Sequence, residues 1–183
     1  MMSVFVAAAL SVAPAQLQAR PPGEGEEKLL RPGTVELGVC GLLSSVDGTV
    51  EARFGLRGGT FLDAPSGLWG AEAEAAYATV RTLHQLDLEA SFSWGGQIGT
   101  GGFFPFVAIG GGLRLETLGS YRQTLVPVGA TVGLRMLATE SAGIRLDVKV
   151  RRVLNDPVKD FTEVNLVLGV SLFLQPRPGA GTP

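Results

Sequence analysis

The chain has 183 residues, a formal net charge of −2 and a single cysteine, Cys40. That length suits one ordinary domain. The near-neutral charge leaves no basic field for nucleic acid, and one cysteine excludes an intrachain disulfide framework. Mean hydropathy is positive and glycine is abundant, at 26 residues. No amphipathic helix follows residue 30, so a parallel sheet, which needs crossovers of a dozen or more residues, does not fit.

In chain order, residues 1–19 read as an export signal. Val4 to Ala13 forms a short apolar core, and Ala13-Pro14-Ala15 or Leu17-Gln18-Ala19 offers small-residue cleavage sites, although no Lys or Arg precedes that core. The run is too short to span a bilayer. Residues 20–33 form a Pro/Gly/Glu linker with little to bury, expected to be flexible. From Thr34 onward, segments of alternating polarity recur at about 34–43, 49–62, 67–80, 83–96, 102–116, 122–138, 142–153 and 161–174. Turn chemistry separates them: Ser44-Ser45-Val46-Asp47-Gly48, Asp63-Ala64-Pro65-Ser66-Gly67, Gly95 to Gly101, Leu118-Gly119-Ser120-Tyr121, Ala138-Thr139-Glu140-Ser141 and Asn155-Asp156-Pro157. Residues 175–183 read as a disordered tail. Eight segments joined by hairpins bring the last strand beside the first, which closes the sheet and removes its edges.

The seventh segment shows the pattern most sharply. Ile144, Leu146, Val148 and Val150 alternate with Arg145, Asp147, Lys149 and Arg151, so a strand here has one apolar and one ionic face. The same parity elsewhere gathers Glu36, Glu51, Glu72, Glu74, Asp87, Glu89, Glu116 and Asp147 with Arg53, Arg57, Arg114, Arg135, Arg145, Lys149 and Arg151 on one side. Acids and bases nearly balance, and Arg replaces Lys almost throughout, as suits forked pairs in a confined space. Gly38, Gly55, Gly110, Gly112, Gly133 and Gly169 share that face, as a lumen crowded with side chains requires. The charged face is therefore expected inside and the apolar face against lipid. The fold expected over 34–174 is all-β, a closed eight-stranded antiparallel up-and-down transmembrane β-barrel. Its lumen network would comprise Glu72, Glu74, Asp87, Glu89, Arg114, Arg135, Arg145, Asp147, Lys149 and Arg151. Trp69, Trp94 and Phe103, joined by Phe61 and Phe173, fall toward one rim, and Tyr77 and Phe161 toward the other, as the aromatic girdles of a membrane interface would.

This pattern resembles the outer-membrane β-barrel domains of Gram-negative bacteria, in the class of the outer membrane protein A barrel. The stretches Val132-Gly133-Leu134-Arg135-Met136-Leu137-Ala138-Thr139-Glu140-Ser141, Ile144-Arg145-Leu146-Asp147-Val148 and Asn165 to Leu174 are similar to small barrels of myxobacterial type, some of which belong to envelope and gliding-motility machinery. The closing stretch resembles the C-terminal signal read by the outer-membrane assembly machinery, through Gly169, Leu172 and Leu174. It departs from that pattern in lacking a final aromatic residue and in carrying a tail. The resemblance implies outer-membrane localisation, with lipid, the assembly machinery and other envelope proteins as partners. Extracellular loops of this class are long where they serve adhesion; here only Arg152 to Asp160 is notable.

Catalytic chemistry finds little footing. His84 is followed by Gln85 and Leu86 with no serine at i+2, and it falls on the lipid face. The pairs Glu72/Glu74 and Asp87/Glu89 have the spacing of lumen partners. Cys40 and His84 are too sparse for a zinc site, and Gly110-Gly111-Gly112 and Gly99-Thr100-Gly101-Gly102 lack the Lys-Ser/Thr of a phosphate loop. No catalytic, cofactor or metal site is expected, and no nucleic acid. The expected function is a non-enzymatic outer-membrane barrel with a salt-bridged, plugged lumen and a structural or anchoring role. A small-solute, porin-like channel and a soluble, lipocalin-like periplasmic barrel for an apolar ligand are the alternatives.

Overall fold

The computed structural model describes residues 29–46, 49–65, 67–80, 82–98, 101–156 and 160–176. The export segment 1–19, residues 20–28 of the linker and residues 177–183 of the tail lie outside the described residues. Eight strands form: β1 (Val35–Val46), β2 (Thr49–Ala64), β3 (Gly67–Val80), β4 (Leu83–Gly95), β5 (Phe103–Leu118), β6 (Tyr121–Thr139), β7 (Ala142–Leu154) and β8 (Phe161–Leu174). Each pairs antiparallel with the next, and β8 returns to β1 with Leu174 opposite Val35, closing the barrel. Both ends of the barrel chain therefore lie at one rim, called here the terminal rim. The hairpins β1–β2, β3–β4, β5–β6 and β7–β8 turn at the far rim.

The register is staggered. A row of facing residues runs Val35, Thr60, Ala71, Phe92, Ile109, Ala130, Val150, Val164 and reaches β1 again at Ser45, ten residues beyond its start. Such a stagger tilts the strands, and with eight of them the interior is just wide enough for side chains. Several strands run further than their turn-type residues suggested. Ser44, Ser45 and Val46 belong to β1, Asp63 and Ala64 to β2, and Leu118 pairs with Tyr121 across a two-residue turn. Backbone N–H and C=O groups keep pairing until the chain must reverse, and that demand outweighs local turn preference. Where it reverses, Gly67 (φ +107°) and Gly119 (φ +61°) take the left-handed backbone that side chains disfavour.

Alternation along every strand divides the barrel wall into two unlike surfaces. Phe54 is 75% exposed, Ile109 70% and Leu56 66%, whereas Arg53 and Arg114 are 1% exposed and Asp147 0%. A water-facing barrel has the reverse arrangement, so the soluble, lipocalin-like expectation fails: the apolar side chains point out and the ions point in. An apolar belt of this extent is suited to a lipid surround. The interior is tightly filled. A Cβ placed on Gly133 would strike the Phe106 ring and the Asp147 carboxylate.

The terminal rim departs from expectation in two respects. Phe61 and Phe173 do not join an outer girdle; they turn inward and are buried with Leu30, Leu68 and Phe104. Their odd positions in β2 and β8 share the parity of the lumen residues. The end of the linker is also packed down: Leu30 is 1% exposed and seats against this cluster. The backbone on either side is tied to the rim, Gly33 N donating to Phe61 O at 2.7 Å, Phe61 N to Thr34 O at 3.0 Å and Gln175 Nε2 to Leu29 O at 2.7 Å. Leu30 thus has apolar area to bury because the rim supplies an apolar seat. Truncating it, Leu30→Ala, is expected to destabilise the barrel by about 2–5 kcal/mol. Denaturant unfolding of detergent-solubilised protein checks this, and an unmoved midpoint would show that the segment contributes no packing.

Candidate functional site in the barrel lumen

The alternation that turns charge inward comes from ordinary strand geometry, and strand pairing then decides which charges meet. Near the terminal rim, Glu36 of β1 accepts from Arg135 Nε of β6 at 3.0 Å and from Ser171 Oγ of β8 at 2.7 Å. Glu72 of β3 takes the other side of Arg135, the Arg145 guanidinium of β7 at 2.6 Å, and Ser93 Oγ at 3.2 Å. Arg145 Nε also donates to both oxygens of Asp147 at 2.9 Å. Both guanidinium groups also lie against the Phe106 ring, with Arg135 Cζ 4.0 Å and Arg145 Cζ 4.4 Å from its centroid. That arrangement gives two like-charged groups a shared negative π face as well as their carboxylates.

The middle of the lumen continues the chain of pairs. Arg57 of β2 reaches Glu74 at 2.6 Å and Asp147 at 3.3 Å, and Lys149 Nζ bridges Glu74 at 3.0 Å to Glu89 at 3.3 Å. Arg151 links Glu89, at 2.8 Å, to Asp87, at 3.2 Å, and to Glu163. Toward the far rim, Arg114 forks onto Asp87 at 2.8 and 3.1 Å and reaches Glu163 at 2.8 Å. Arg53 adds Asp87 at 2.8 Å, Ser44 at 3.2 Å and Glu163 at 3.4 Å. Seven cations (Arg53, Arg57, Arg114, Arg135, Arg145, Lys149, Arg151) and eight carboxylates (Glu36, Glu51, Glu72, Glu74, Asp87, Glu89, Asp147, Glu163) form one connected set that runs most of the length of the lumen.

All of Glu72, Glu74, Asp87, Glu89, Arg114, Arg135, Arg145, Asp147, Lys149 and Arg151 face inward and take part in ion pairs. Arg53, Arg57 and Glu36 belong to the same inward set and prove equally central. Glu163 lies outside the charged face expected from the sequence, yet it is fully buried and accepts from three arginines. The signal was present, since Leu166, Leu168 and Val170 face out and counting back in twos places 163 inside. The paired carboxylates Glu72/Glu74 and Asp87/Glu89 are each occupied by guanidinium or ammonium groups, which leaves neither arranged as an acid–base dyad. Among the described residues no cluster of His, Cys, Asp and Glu could hold a metal ion. Cys40 is buried against Leu42, Ala76 and Val167.

Outside the barrel, Trp69 stacks on Phe92 at 4.9 Å, facing Trp94 across β3–β4, and Phe103 and Trp94 are exposed at the same terminal rim. Tyr77 is exposed toward the far rim and hydrogen-bonds His84 at 2.8 Å. In β8, Gly169 faces the lumen opposite Cys40, whereas Leu172 and Leu174 face out.

No protein-family model matches the sequence, and no curated protein matches it. Among solved structures, the N-terminal β-barrel domain of Pseudomonas aeruginosa OprF is similar with a TM-score of 0.59, at 18% identity, over 78% of this chain and 98% of that one. The outer membrane protein OprG of the same organism gives 0.56 at 13% identity, over 82% and 100%. Neisserial surface protein A gives 0.54 at 14%, over 76% and 95%. At such identities the likeness concerns the fold: this chain has the closed, eight-stranded transmembrane barrel fold of Gram-negative outer-membrane proteins.

Asp147 carries the sharpest expectation for the network, being fully buried between Arg145 and Arg57. Replacing it, Asp147→Leu, removes the partner of two buried cations and is expected to cost about 3–5 kcal/mol. The folded barrel should then lose its compact gel band at a lower heating temperature than wild type; identical heat resistance would mean the ion pairs do not hold the lumen.

Proposed function

We propose that this chain is an integral outer-membrane protein of a Gram-negative envelope that performs no catalysis and serves as a structural or anchoring barrel, its lumen plugged by the ionic network. The observation that carries this reading is the continuity of that network. Cations and carboxylates from all eight strands alternate from Glu36 near the terminal rim to Arg114 and Glu163 near the far rim. A barrel whose lumen groups are committed to one another spends its interior on rigidity. Opening it would separate buried charges at several kcal/mol each.

Export through residues 1–19, assembly through the Gly169, Leu172 and Leu174 stretch, and contact with membrane lipid and other envelope proteins complete this reading. The likeness of 132–148 and 165–174 to small myxobacterial barrels belongs to it as well, on those stretches alone. A second reading, a small-solute channel, draws on one observation. Arg53 Nε, Arg151 Nε and Asn165 Oδ1 are buried without hydrogen-bond partners, and all three residues stand about Glu163 in the far half of the lumen. Polar sites of that kind hold water.

Two measurements decide. Fractionation of cells producing the full chain should place it with the outer membrane, extractable only by detergent; recovery in the soluble fraction would remove both membrane readings. In planar bilayers the plugged barrel should give no discrete conductance steps, and reproducible steps would establish the channel instead.

A further inference from the structure

The outward face of the barrel differs at its two rims. At the terminal rim its outward strand residues carry no charge: Trp69, Trp94, Phe103 and Leu174 stand there with Thr60 and Thr139. Toward the far rim a polar row crosses four neighbouring strands: Thr79 faces His84, His84 faces Thr117 and Thr117 faces Arg122. These positions share the parity of the lipid-facing residues Tyr77, Leu86 and Leu115, which form the next row down toward the belt. Thr79, His84 and Arg122 are exposed, and Thr117 is half-buried.

The donors in this row are arranged by one another. Thr79 Oγ1 donates to Tyr77 Oη at 2.9 Å, and Tyr77 Oη and His84 Nδ1 share a hydrogen bond at 2.8 Å, with Thr79 Oγ1 3.4 Å from the same ring nitrogen. That contact occupies Nδ1 of His84 and leaves Nε2, which carries an N–H in one neutral tautomer and in the protonated ring, as the ring nitrogen open to a ligand. Arg122 supplies a planar fork of N–H donors. Each arginine inside the lumen meets carboxylates, but among the described residues no strand carboxylate shares the outward parity of Arg122.

A cation and a set of hydrogen-bond donors on the lipid-facing side, just above an apolar belt, complement an anionic headgroup whose acyl chains descend over Leu86 and Leu115. We infer that His84, Thr117 and Arg122 of this row seat the phosphomonoester headgroup of a membrane lipid, with Thr79 holding the Tyr77–His84 pair in place. A monoester offers three free oxygens and up to two charges, matching a forked guanidinium flanked by hydroxyl and imidazole donors. A singly charged phosphodiester leaves part of the row unanswered. This inference rests on the membrane reading above and adds to it the class of lipid and the place where it binds.

The test uses the full chain in phosphatidylcholine nanodiscs doped with either phosphatidic acid, which carries a monoester, or phosphatidylglycerol, which carries a diester. Lipid retained after release is read by native mass spectrometry, and heat-modifiable gel mobility verifies that each variant is folded. Wild type should enrich phosphatidic acid over phosphatidylcholine, Arg122→Gln should lower that enrichment about fivefold, and His84→Gln should lower it further in the double variant. Equal retention of all three lipids, retention of phosphatidylglycerol as strong as that of phosphatidic acid, or an unchanged Arg122→Gln would each overturn the assignment while leaving the barrel reading intact. A chain that does not enter nanodiscs at all would overturn the membrane reading and this site with it.

Discussion

A charge turned into a closed eight-stranded barrel has no bulk water to retreat to, and most of its partners arrive from other strands. This constraint governs the rest of the structure. Glu72 lies on β3 and its guanidinium partners lie on β6 and β7, across the lumen. Glu163 on β8 gathers arginines from β2, β5 and β7. None of these contacts survives a one-residue slip of any strand, because a slip would turn that strand's ions toward lipid and its aliphatic residues toward the lumen. Register, stagger and charge pairing are therefore one specification. The predominance of arginine follows from it: Arg145 and Arg114 each satisfy more than one carboxylate in a forked geometry that an ammonium cannot reproduce.

The terminal rim meets the same constraint by different means. Arg135 lies against Phe106 and 5.1 Å from the Phe61 ring, so the ionic lumen passes into an apolar stopper through aromatic faces that tolerate cations. Leu30, from the segment before β1, completes that stopper. The outer wall responds to a different environment. Its aliphatic belt is exposed, and its ends differ, uncharged with Trp94 and Phe103 at the terminal rim, polar with Arg122 and His84 toward the far one.

Much of this was legible from period-two alternation alone. The strand count and the inward placement of Arg145, Asp147, Lys149 and Arg151 follow from side chains pointing to alternate faces, a property local to each strand. What escaped was of two kinds. Glu163, Phe61 and Phe173 obey the same parity, yet residue type points the other way: an acid beside a loop suits solvent, and aromatics at strand ends suit a membrane interface. Leu30 lay in a Pro/Gly/Glu stretch where no local pattern marks burial. Its seat is built from β2, β3, β5 and β8, elements far away in sequence.

By itself, then, the sequence determined the alternation, and with it an all-β chain with one greasy and one ionic face per strand. It also determined a lumen inventory of nearly balanced charge. Only the tertiary structure decided which acid meets which base, that Arg135 and Arg145 both lie against Phe106, and that Thr79, His84, Thr117 and Arg122 stand in a single row. The physical reason is that face is set by neighbours in the chain, whereas partnership is set by the closure and stagger of the whole barrel.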